Sequence, residues 1–335
     1  MPETVVCICT RRRPRLLARV LAALGRAELG GELLPTGSVG IVVVDNSPDG
    51  QARAACERAA APGLLPAPLR FVEEPEEGLS LARNRAVAEA LAWGAGRVAF
   101  LDDDDEPRPD WLRHLVEAHE ASGAELVFGA WALSPELRLP RHLARLRYFR
   151  PVRLDNVNAF GLPGWAGTYN VLLGRRLLEA MAARGPVFRP EFAAAGGEDT
   201  DLFVRARRAG FRHAAAPDSV VLRTWEPHRL TLGGVLRRAF MHGGSRVHVA
   251  RAHLPPDELR RLSRASWRKL AKAALTLPAA PLRAEGTAPA LIRVARGLGE
   301  IYAWRGRRCG YYAPGHGEPA TPLTPAEAAG GAEGR

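Results

Sequence analysis

The strongest constraint on the fold is a series of short apolar runs that alternate with segments of helical spacing. The runs are nearly continuous in valine, leucine, isoleucine and phenylalanine, which is typical of strands buried on both faces. The five runs are TVVCIC (4–9), VGIVVV (39–44), LRFVEE (69–74), VAFL (98–101) and ELVFGAW (125–131). A helical pattern follows each of the first four, and strands that alternate with helices form parallel sheets. We therefore predict an α/β fold with a mostly parallel sheet flanked by helices.

Polar residues stand where three of these runs end. Thr10 follows the first run, Asp45 follows the second, and the carboxylates of Asp102–Asp105 follow the fourth. Ligands of parallel sheets bind beyond the carboxyl ends of the strands. We expect these residues to line one rim of the sheet and to form a binding site.

The acidic run within RVAFLDDDDEPRPDWL (97–112) is the clearest candidate for chemistry. Neighbouring carboxylates repel one another, so they stay ionised together only beside a cation or strong hydrogen-bond donors. Asp102 and Asp104 would supply hard oxygen ligands for Mg²⁺ or Mn²⁺, with further ligands from the phosphates of a substrate. The alternative is a solvated acidic turn before the next helix, where Asp110 favours the first turn.

Two further segments carry candidate functional side chains. GGEDTDLF (196–203) places Glu198 and Asp199 at the start of an amphipathic helix. Acidic residues there are ordinary caps, but one of them could also act as a general base. GLSLARNRAV (78–87) places Arg83 at the same rim, where it could contact the base or a phosphate of a ligand, or simply lie on the surface.

In order and spacing, these segments resemble the family 2 glycosyltransferases, which have the GT-A fold. The segments that carry the resemblance are TVVCICTRRRPRLLARVLAAL, IVVVDNSPDG, EEGLSLARNRAV, VAFLDDDDEPRPDWL, GTYNVLLGRR and GGEDTDLFVRARRAGF. They lie within residues 3–250, and the pattern is most similar to the bacterial exopolysaccharide branch typified by succinoglycan glucosyltransferases. The resemblance implies a Rossmann-like GT-A sheet and an inverting hexosyltransferase.

The resemblance also implies the substrates and the cofactor. The implied donor is a nucleotide-diphosphate sugar, with a UDP-sugar expected, and the implied cofactor is Mg²⁺ or Mn²⁺. The implied acceptor is a hydroxyl of a saccharide or of a polyprenyl-linked saccharide, in surface polysaccharide biosynthesis. A nucleic-acid partner is not expected.

Residues that match the family's motifs take their implied roles from it. Asp102 and Asp104 match the Asp-x-Asp motif, with Asp104 as the direct metal ligand. Asp199 matches the catalytic base, and Glu198 precedes it in the Glu-Asp pair. Residues implied at the nucleotide are Thr10, Arg12, Asp45 at the uracil or ribose, Arg83 at the base, and Asp103 at the ribose.

Four more residues are implied at the donor sugar and the diphosphate. Gly167 and Asn170 match a segment that lines the donor-sugar pocket, and Arg238 and His242 stand where members often carry basic residues facing the diphosphate. The chain departs from the family in two places. Arginines follow Thr10, where an aromatic residue or asparagine is usual, and the Gln-x-x-Arg-Trp motif of processive synthases is absent.

The C-terminal part is basic and intermittently apolar. The chain carries a formal net charge of +11 and a pI of about 10.4, which suggests an anionic partner. ASWRKLAKAALTLPAAPLR (265–283) and APALIRVARGLGEIYAWRGRR (288–308) could lie in the interface of an anionic membrane. Alternatively, each packs its apolar side on the catalytic domain.

The expected organisation is a GT-A catalytic domain over residues 1–235 with a basic helical extension over 236–315. The nucleotide-sugar half would cover residues 1–130 and the acceptor half 131–235, while the Pro- and Ala-rich residues 316–335 would form a disordered tail. The four cysteines show no disulfide spacing, the N-terminus does not resemble a signal peptide, and no apolar run is long enough to span a membrane. We expect a cytoplasmic protein that is peripheral on the inner face of the cytoplasmic membrane.

Two other classes of protein remain as alternatives. A sugar-phosphate nucleotidyltransferase also uses an α/β sheet and a metal, but it would normally begin with a Gly-rich phosphate loop, which CICTRRRPR lacks. A non-enzymatic protein that binds an anionic polymer would use the basic C-terminal part, but it would leave the acidic rim without a role.

Overall fold

The computed structural model of the chain describes residues 1–150, 160–163, 166–193, 195–279 and 287–310. Within these residues, eight strands form one sheet in the order β3-β2-β1-β4-β7-β6-β8-β5. The strands are β1 (Thr4–Thr10), β2 (Val39–Asp45), β3 (Leu69–Glu73), β4 (Arg97–Asp102), β5 (Asp105–Pro107), β6 (Leu126–Leu133), β7 (Asn170–Gly174) and β8 (His213–Arg223).

The sheet is mostly parallel, which confirms the prediction from the apolar runs. β1 pairs in parallel with β2 and β4, β2 with β3, and β6 with β8. Only β5 and β7 run antiparallel to their neighbours among the described strands. The carboxyl ends of β1, β2 and β4 therefore meet at one edge of the sheet.

Helices cover both faces of the sheet and explain why the runs are apolar throughout. In β1, Val6 and Ile8 face a core that includes helices α1, α2 and α4, whereas Val5 and Cys7 face a second core with α3, α6 and α7. The helices are α1 (Pro14–Leu24), α2 (Arg53–Ala59), α3 (Leu79–Ala92), α4 (Trp111–Ser122), α5 (Arg141–Ala144), α6 (Arg175–Ala182), α7 (Glu198–Arg208), α8 (Leu232–His253), α9 (Pro256–Thr276) and α10 (Ala288–Trp304).

The acidic run is a tight connection between two strands rather than a loop before a helix. β4 ends at Asp102 and β5 begins at Asp105, so only two residues join them. β5 pairs with β8 across a large sequence separation, with Asp105 opposite Arg223. The three residues of β5 carry no apolar pattern, so this strand could not be predicted from the sequence.

The C-terminal helices α8 and α9 both pack on α10, and α8 also packs on the start of α7. A Cβ atom added at Gly197 would lie 2.7 Å from Val249 of α8, so the backbone at the start of α7 touches this helix. None of the described helices is both long and apolar enough to cross a membrane. The expected disordered tail, residues 316–335, lies outside the described residues.

The side chain of Asn170 joins three strands and a helix in the interior. Its amide nitrogen donates to the carbonyl oxygens of Ala130, at 2.8 Å, and Ser219, at 2.9 Å. Its oxygen accepts from the indole nitrogen of Trp111 at 2.8 Å. The amide lies against the backbone of Gly129, where an added Cβ would approach it to 2.2 Å. Asn170 therefore fixes the position of the antiparallel strand β7.

We expect the change Asn170→Ala to destabilise the protein strongly. It leaves three buried polar groups without partners, and at about 1–3 kcal/mol for each such group the free energy of unfolding should fall by roughly 3 kcal/mol or more. Ser219→Ala is the control, because the Ser219 hydroxyl makes only a 3.4 Å contact with Asn170. Urea denaturation followed by circular dichroism measures both, and equal losses in the two variants would contradict this role of Asn170.

Candidate active site

The polar residues predicted at the rim do lie at one edge of the sheet. Thr10 is paired with Asp45 at the ends of β1 and β2, and Cys9 is paired with Asp102 at the end of β4. The hydroxyl of Thr10 donates to Oδ2 of Asp103 at 2.8 Å. Burial raises the pKa of Asp103 to about 6, although the nearby Arg13 opposes the shift. The end of β1 therefore holds the acidic turn directly.

Arginines neutralise much of the negative charge of the acidic run. Arg13 lies 3.1 Å from Oδ1 of Asp103 and 3.5 Å from Oδ2 of Asp104. Arg229 lies 3.1 Å from the same oxygen of Asp104, and both arginines also contact Glu226 at 3.3 Å. Neighbouring carboxylates need a cation or strong hydrogen-bond donors to stay ionised together, and guanidinium groups supply those donors here.

The electrostatic consequence is clearest at Asp104. Burial alone would raise the pKa of this carboxyl, but the surrounding Arg13, Arg229, Arg223 and Arg238 lower it below its usual value. Asp104 therefore stays ionised beside its acidic neighbours. The contribution of Arg238 places the start of α8 near the acidic run.

Asp105 serves the fold rather than a ligand. Both of its oxygens accept from Arg223, with the Nε–Oδ1 distance at 2.9 Å. Burial alone would lower the pKa of Arg223, but the ion pair and hydrogen bonds with Asp105 raise it above its usual range. This buried pair holds β5 to β8 and engages both oxygens of Asp105.

Asp102 and Asp104 fit the role of a metal-binding pair. Carboxylate oxygens of Asp102, Asp104 and Asp105 lie within 4.8 Å of one another. Arg223 engages both oxygens of Asp105, whereas Arg13 and Arg229 contact Oδ2 of Asp104, so the two candidates left are those of the predicted Asp-x-Asp motif. The side chain of Asp102 is 41% exposed, so it faces open space where an incoming ligand could complete a coordination shell.

Arg83 connects the two acidic segments that were predicted separately. Its Nη1 donates to Oε1 of Glu198, and its Nη2 lies 3.8 Å from Asp102. Arg83 and Glu198 are 5% and 3% exposed, so Arg83 is not a surface residue. Burial raises the pKa of Glu198, while Arg83 opposes the shift. The second carboxylate oxygen of Glu198, Oε2, has no hydrogen-bond partner among the described residues.

Asp199 lies at the start of α7 beside Gly167. Its Oδ1 accepts from the backbone nitrogen of Thr200 at 2.5 Å and from the Thr200 hydroxyl at 3.1 Å. A Cβ atom added at Gly167 would lie 3.5 Å from Oδ2 of Asp199 and 2.8 Å from the ring of Tyr169. The absence of a side chain at Gly167 therefore leaves space next to the second carboxylate oxygen.

Two predicted ligand contacts lie in places that argue against them. Asn170 is 1% exposed, and its amide is used within the core, so it does not line a sugar pocket. Asp45 is fully buried, and its two oxygens accept from the backbone nitrogens of Ser47 and Ala52, both at 2.9 Å. This carboxylate shapes the turn after β2, because its acceptor positions are directed at the chain itself.

The remaining predicted residues are placed at or near the rim. Arg12 adopts a φ of 54°, and its backbone nitrogen donates to the Ser47 hydroxyl at 2.7 Å, which ties the turn after β1 to the turn after β2. Nε of Arg238 lies 3.4 Å from Nε2 of His242, one helical turn further along α8. These two therefore form one local group on α8.

Sequence reasoning missed Arg13, Arg223, Arg229, Glu226 and Tyr169. Arg13 stood within the quoted TRRRPR segment, and its neighbour Arg12 was chosen instead. The others come from segments whose strand pairing was not visible in the sequence. Tyr169 lies under the Arg223 guanidinium, whose carbon is 4.3 Å from the ring centroid, so it joins the acidic turn to the surroundings of Asp199.

The fold and the site define a GT-A type of α/β protein, with an acidic turn at the carboxyl edge of the sheet and a second acidic pair nearby. Residues 5–176 match the family described as Glycosyl transferase family 2. The chain is 30% identical over 260 residues to the succinoglycan biosynthesis protein ExoM of Rhizobium meliloti, which covers 73% of this chain and 75% of ExoM. The chain belongs to glycosyl transferase family 2.

Two further likenesses agree with this assignment. The succinoglycan biosynthesis protein ExoO of Rhizobium meliloti is 30% identical over 199 residues, covering 54% of this chain and 51% of ExoO. Among solved structures, the mannosyltransferase PcManGT from Pyrobaculum calidifontis, in complex with GDP-Man and Mn²⁺, has a TM-score of 0.60. That match has 20% sequence identity and covers 92% of this chain and 88% of the other, so it supports the fold.

The buried Arg83–Glu198 pair gives a test of how the two acidic segments are held together. Arg83→Met leaves Glu198 buried without its cation, and breaking such a pair should cost about 3–5 kcal/mol of unfolding free energy. The double change Arg83→Met with Glu198→Leu should recover most of this loss. Urea denaturation measures both variants.

The loss in Arg83→Met should also depend on pH. Without Arg83, the pKa of Glu198 rises further above its unfolded value, so folding favours the protonated carboxyl. Stability is therefore retained below the unfolded pKa of about 4.3 and falls as the pH rises above it. A loss that is independent of pH, or a double variant no more stable than Arg83→Met, would contradict the pairing.

Proposed function

We propose that the chain is an inverting, metal-dependent glycosyltransferase. It moves a sugar from a nucleotide-diphosphate donor, preferably a UDP-sugar, to a hydroxyl of a saccharide or polyprenyl-linked saccharide. The observation that carries the proposal is the bridge made by Arg83, which brings the Asp102–Asp105 turn and the Glu198–Asp199 pair to one site. Direct displacement requires the groups that bind the diphosphate of the donor to lie close to the base that deprotonates the acceptor hydroxyl.

The relatives support a role in making polysaccharides. ExoM and ExoO are both named as succinoglycan biosynthesis proteins. The chain would work in the same kind of process, in the cytoplasm at the inner face of the membrane, where a lipid-linked acceptor is presented. Family membership argues against the nucleotidyltransferase alternative, and the acidic site argues against a passive binder of anionic polymers.

Asp102 and Asp104 would hold Mg²⁺ or Mn²⁺ in this enzyme. When bound, the ion would supply positive charge against the diphosphate leaving group. The structure of PcManGT was solved with Mn²⁺ and a nucleotide sugar, which makes manganese the first ion to test. Asp103, held by Thr10, is left for the ribose in this assignment.

Arginines around the acidic turn would receive the diphosphate. Arg13 and Arg229 share Asp104 and Glu226, and Arg238 lies close enough to lower the pKa of Asp104. Positively charged groups already directed at the position where negative charge develops are usually the largest catalytic contribution. These side chains would therefore stabilise the departing nucleotide diphosphate.

Asp199 would take the proton from the acceptor hydroxyl. Its Oδ1 is held by Thr200, whereas Oδ2 faces the space left by Gly167. The hydroxyl oxygen forms a bond to the anomeric carbon as the bond to the diphosphate breaks, and one displacement inverts that carbon. Glu198 would act as a positioning residue, because its bond to Arg83 fixes the first turn of α7.

We expect Asp199→Asn to keep the fold and donor binding but to lower kcat by about 10²–10⁴-fold, the usual contribution of a general base. Asp257→Asn makes the same chemical change on the exposed surface of α9 and should leave the rate unaltered. Turnover measured by release of nucleotide diphosphate, together with donor titration by calorimetry, distinguishes the two. Near-normal turnover in Asp199→Asn would remove Asp199 from this role.

Asp104→Asn should remove the dependence of donor binding on metal. Calorimetry with UDP in the presence of Mn²⁺, and again with a chelator, measures this dependence. In the variant, the metal should no longer strengthen binding. Affinity in chelator should stay constant or rise, because Arg13 and Arg229 lose a competing partner.

The control for this change is Glu106→Gln, two residues further along. Glu106 pairs with Arg19 of α1, away from the acidic turn, so its variant should keep the full effect of metal. If Asp104→Asn keeps the same gain in UDP affinity from Mn²⁺ as the unaltered protein, Asp104 is not a metal ligand.

A further inference from the structure

The most exposed apolar side chains of the described residues are concentrated on the C-terminal helices. Trp267 and Leu275 of α9 are 48% and 81% exposed, and Leu298 of α10 is 48% exposed. The only other large apolar side chains that are exposed in the described part of the chain are Met1 and Leu64. A tryptophan left half in solvent on a packed helix suggests a surface that something else covers.

Trp267 and Leu275 share one face of α9 with several arginines. At 100° per residue, the face spans an arc of about 120°, and we name it the α9 outer face. Its members are Asp257, Arg260, Arg261, Arg264, Trp267, Arg268, Ala271 and Leu275. The opposite side of α9 is buried against α10, where Ser266 accepts a hydrogen bond from Trp304 and Leu270 packs on Gly297.

The positive charge on the α9 outer face is largely uncompensated. Arg260 pairs with Asp257, but among the described residues Arg261, Arg264 and Arg268 have no acidic partner. Together with Trp267, these three arginines line an open concavity of about 500 Å³. Guanidinium groups that converge beside an aromatic ring provide both an anion site and an apolar contact.

We propose that the α9 outer face docks on the surface of an anionic phospholipid bilayer. The three arginines would contact lipid phosphates, while Trp267 and Leu275 would enter the interface between headgroups and acyl chains. Each basic side chain near such a surface contributes about 1 kcal/mol, and tryptophan is preferred at this depth. The helix would lie along the membrane plane, because its basic and apolar side chains share one side of the helix.

A bilayer fits this face better than a soluble polyanion. Nucleic acids and other polyanions are bound through charge together with stacking or grooves, whereas Leu275 and Ala271 would gain nothing from them. The apolar end of the face, from Trp267 to Leu275, follows the basic end along the same side of the helix. This inference does not rest on the proposed reaction, because it concerns a surface outside the acidic site.

The full-length chain should be mixed with vesicles of phosphatidylcholine alone and of phosphatidylcholine with phosphatidylglycerol, and binding measured by flotation. We expect binding only to the anionic vesicles, weakening as NaCl is added. The double change Arg264→Glu with Arg268→Glu should lower the partition coefficient by about tenfold or more. The control is Arg176→Glu with Arg184→Glu, which makes the same charge change on exposed residues near α6 and should cost much less.

Insertion of the Trp267 side chain into the bilayer is measured separately, by fluorescence quenching. Brominated phosphatidylcholine in the anionic vesicles should quench part of the tryptophan fluorescence, and Trp267→Phe should lose that part while still floating with the vesicles. Equal binding by the two double variants, binding without phosphatidylglycerol, or quenching unchanged in Trp267→Phe would each overturn the proposal. So would a dimer in solution that Trp267→Ser dissociates, or face-dependent binding of heparin without binding of vesicles.

Discussion

The candidate site depends on one buried guanidinium group. Arg83 lies on α3, yet it contacts Glu198 at the start of α7 and Asp102 at the end of β4. These three elements are far apart in sequence, and a fully buried carboxylate such as Glu198 is stable only beside a cation. The pair therefore sets the position of the first turn of α7, and with it the position of Asp199. Any chemistry that uses both acidic segments requires this contact.

Arginines balance part of the negative charge of the acidic turn. Among the described contacts, the carboxylates of Asp102–Asp105, Glu198 and Glu226 outnumber the guanidinium groups that pair with them. The excess negative charge favours a divalent ion at the exposed Asp102. Arg13 and Arg229 would then be released from Asp104 toward a diphosphate, so binding of metal and of nucleotide would support each other. The sequence argument considered a cation as the balancing charge and did not identify the arginines that share this role.

The parallel part of the fold was predictable because its physical signal is local. Burial on both faces makes β1, β2 and β4 apolar throughout, and a polar residue at the end of such a strand must lie at the carboxyl edge. β5, β7 and β8 gave no such signal, since their pairing depends on contacts such as Asp105 with Arg223 across more than a hundred residues. Asn170 was assigned to a sugar pocket because a motif match gives only the position of a residue in the chain. In the structure its side-chain amide donates hydrogen bonds to backbone carbonyl groups of β6 and β8.

The C-terminal helices are connected to the acidic site through α7. Asp201 of α7 is fully buried and accepts from His253 at the end of α8, at 2.8 Å, and also from Arg189 and Arg205. The start of α7 is thus held by Arg83 on one side and by α8 on the other. Removal of α8–α10 would expose Asp201 and Gly197 and release the turn that carries Asp199. Loss of activity on truncation would therefore say nothing about membrane binding, and only substitutions on the α9 outer face can separate membrane binding from support of the first turn of α7.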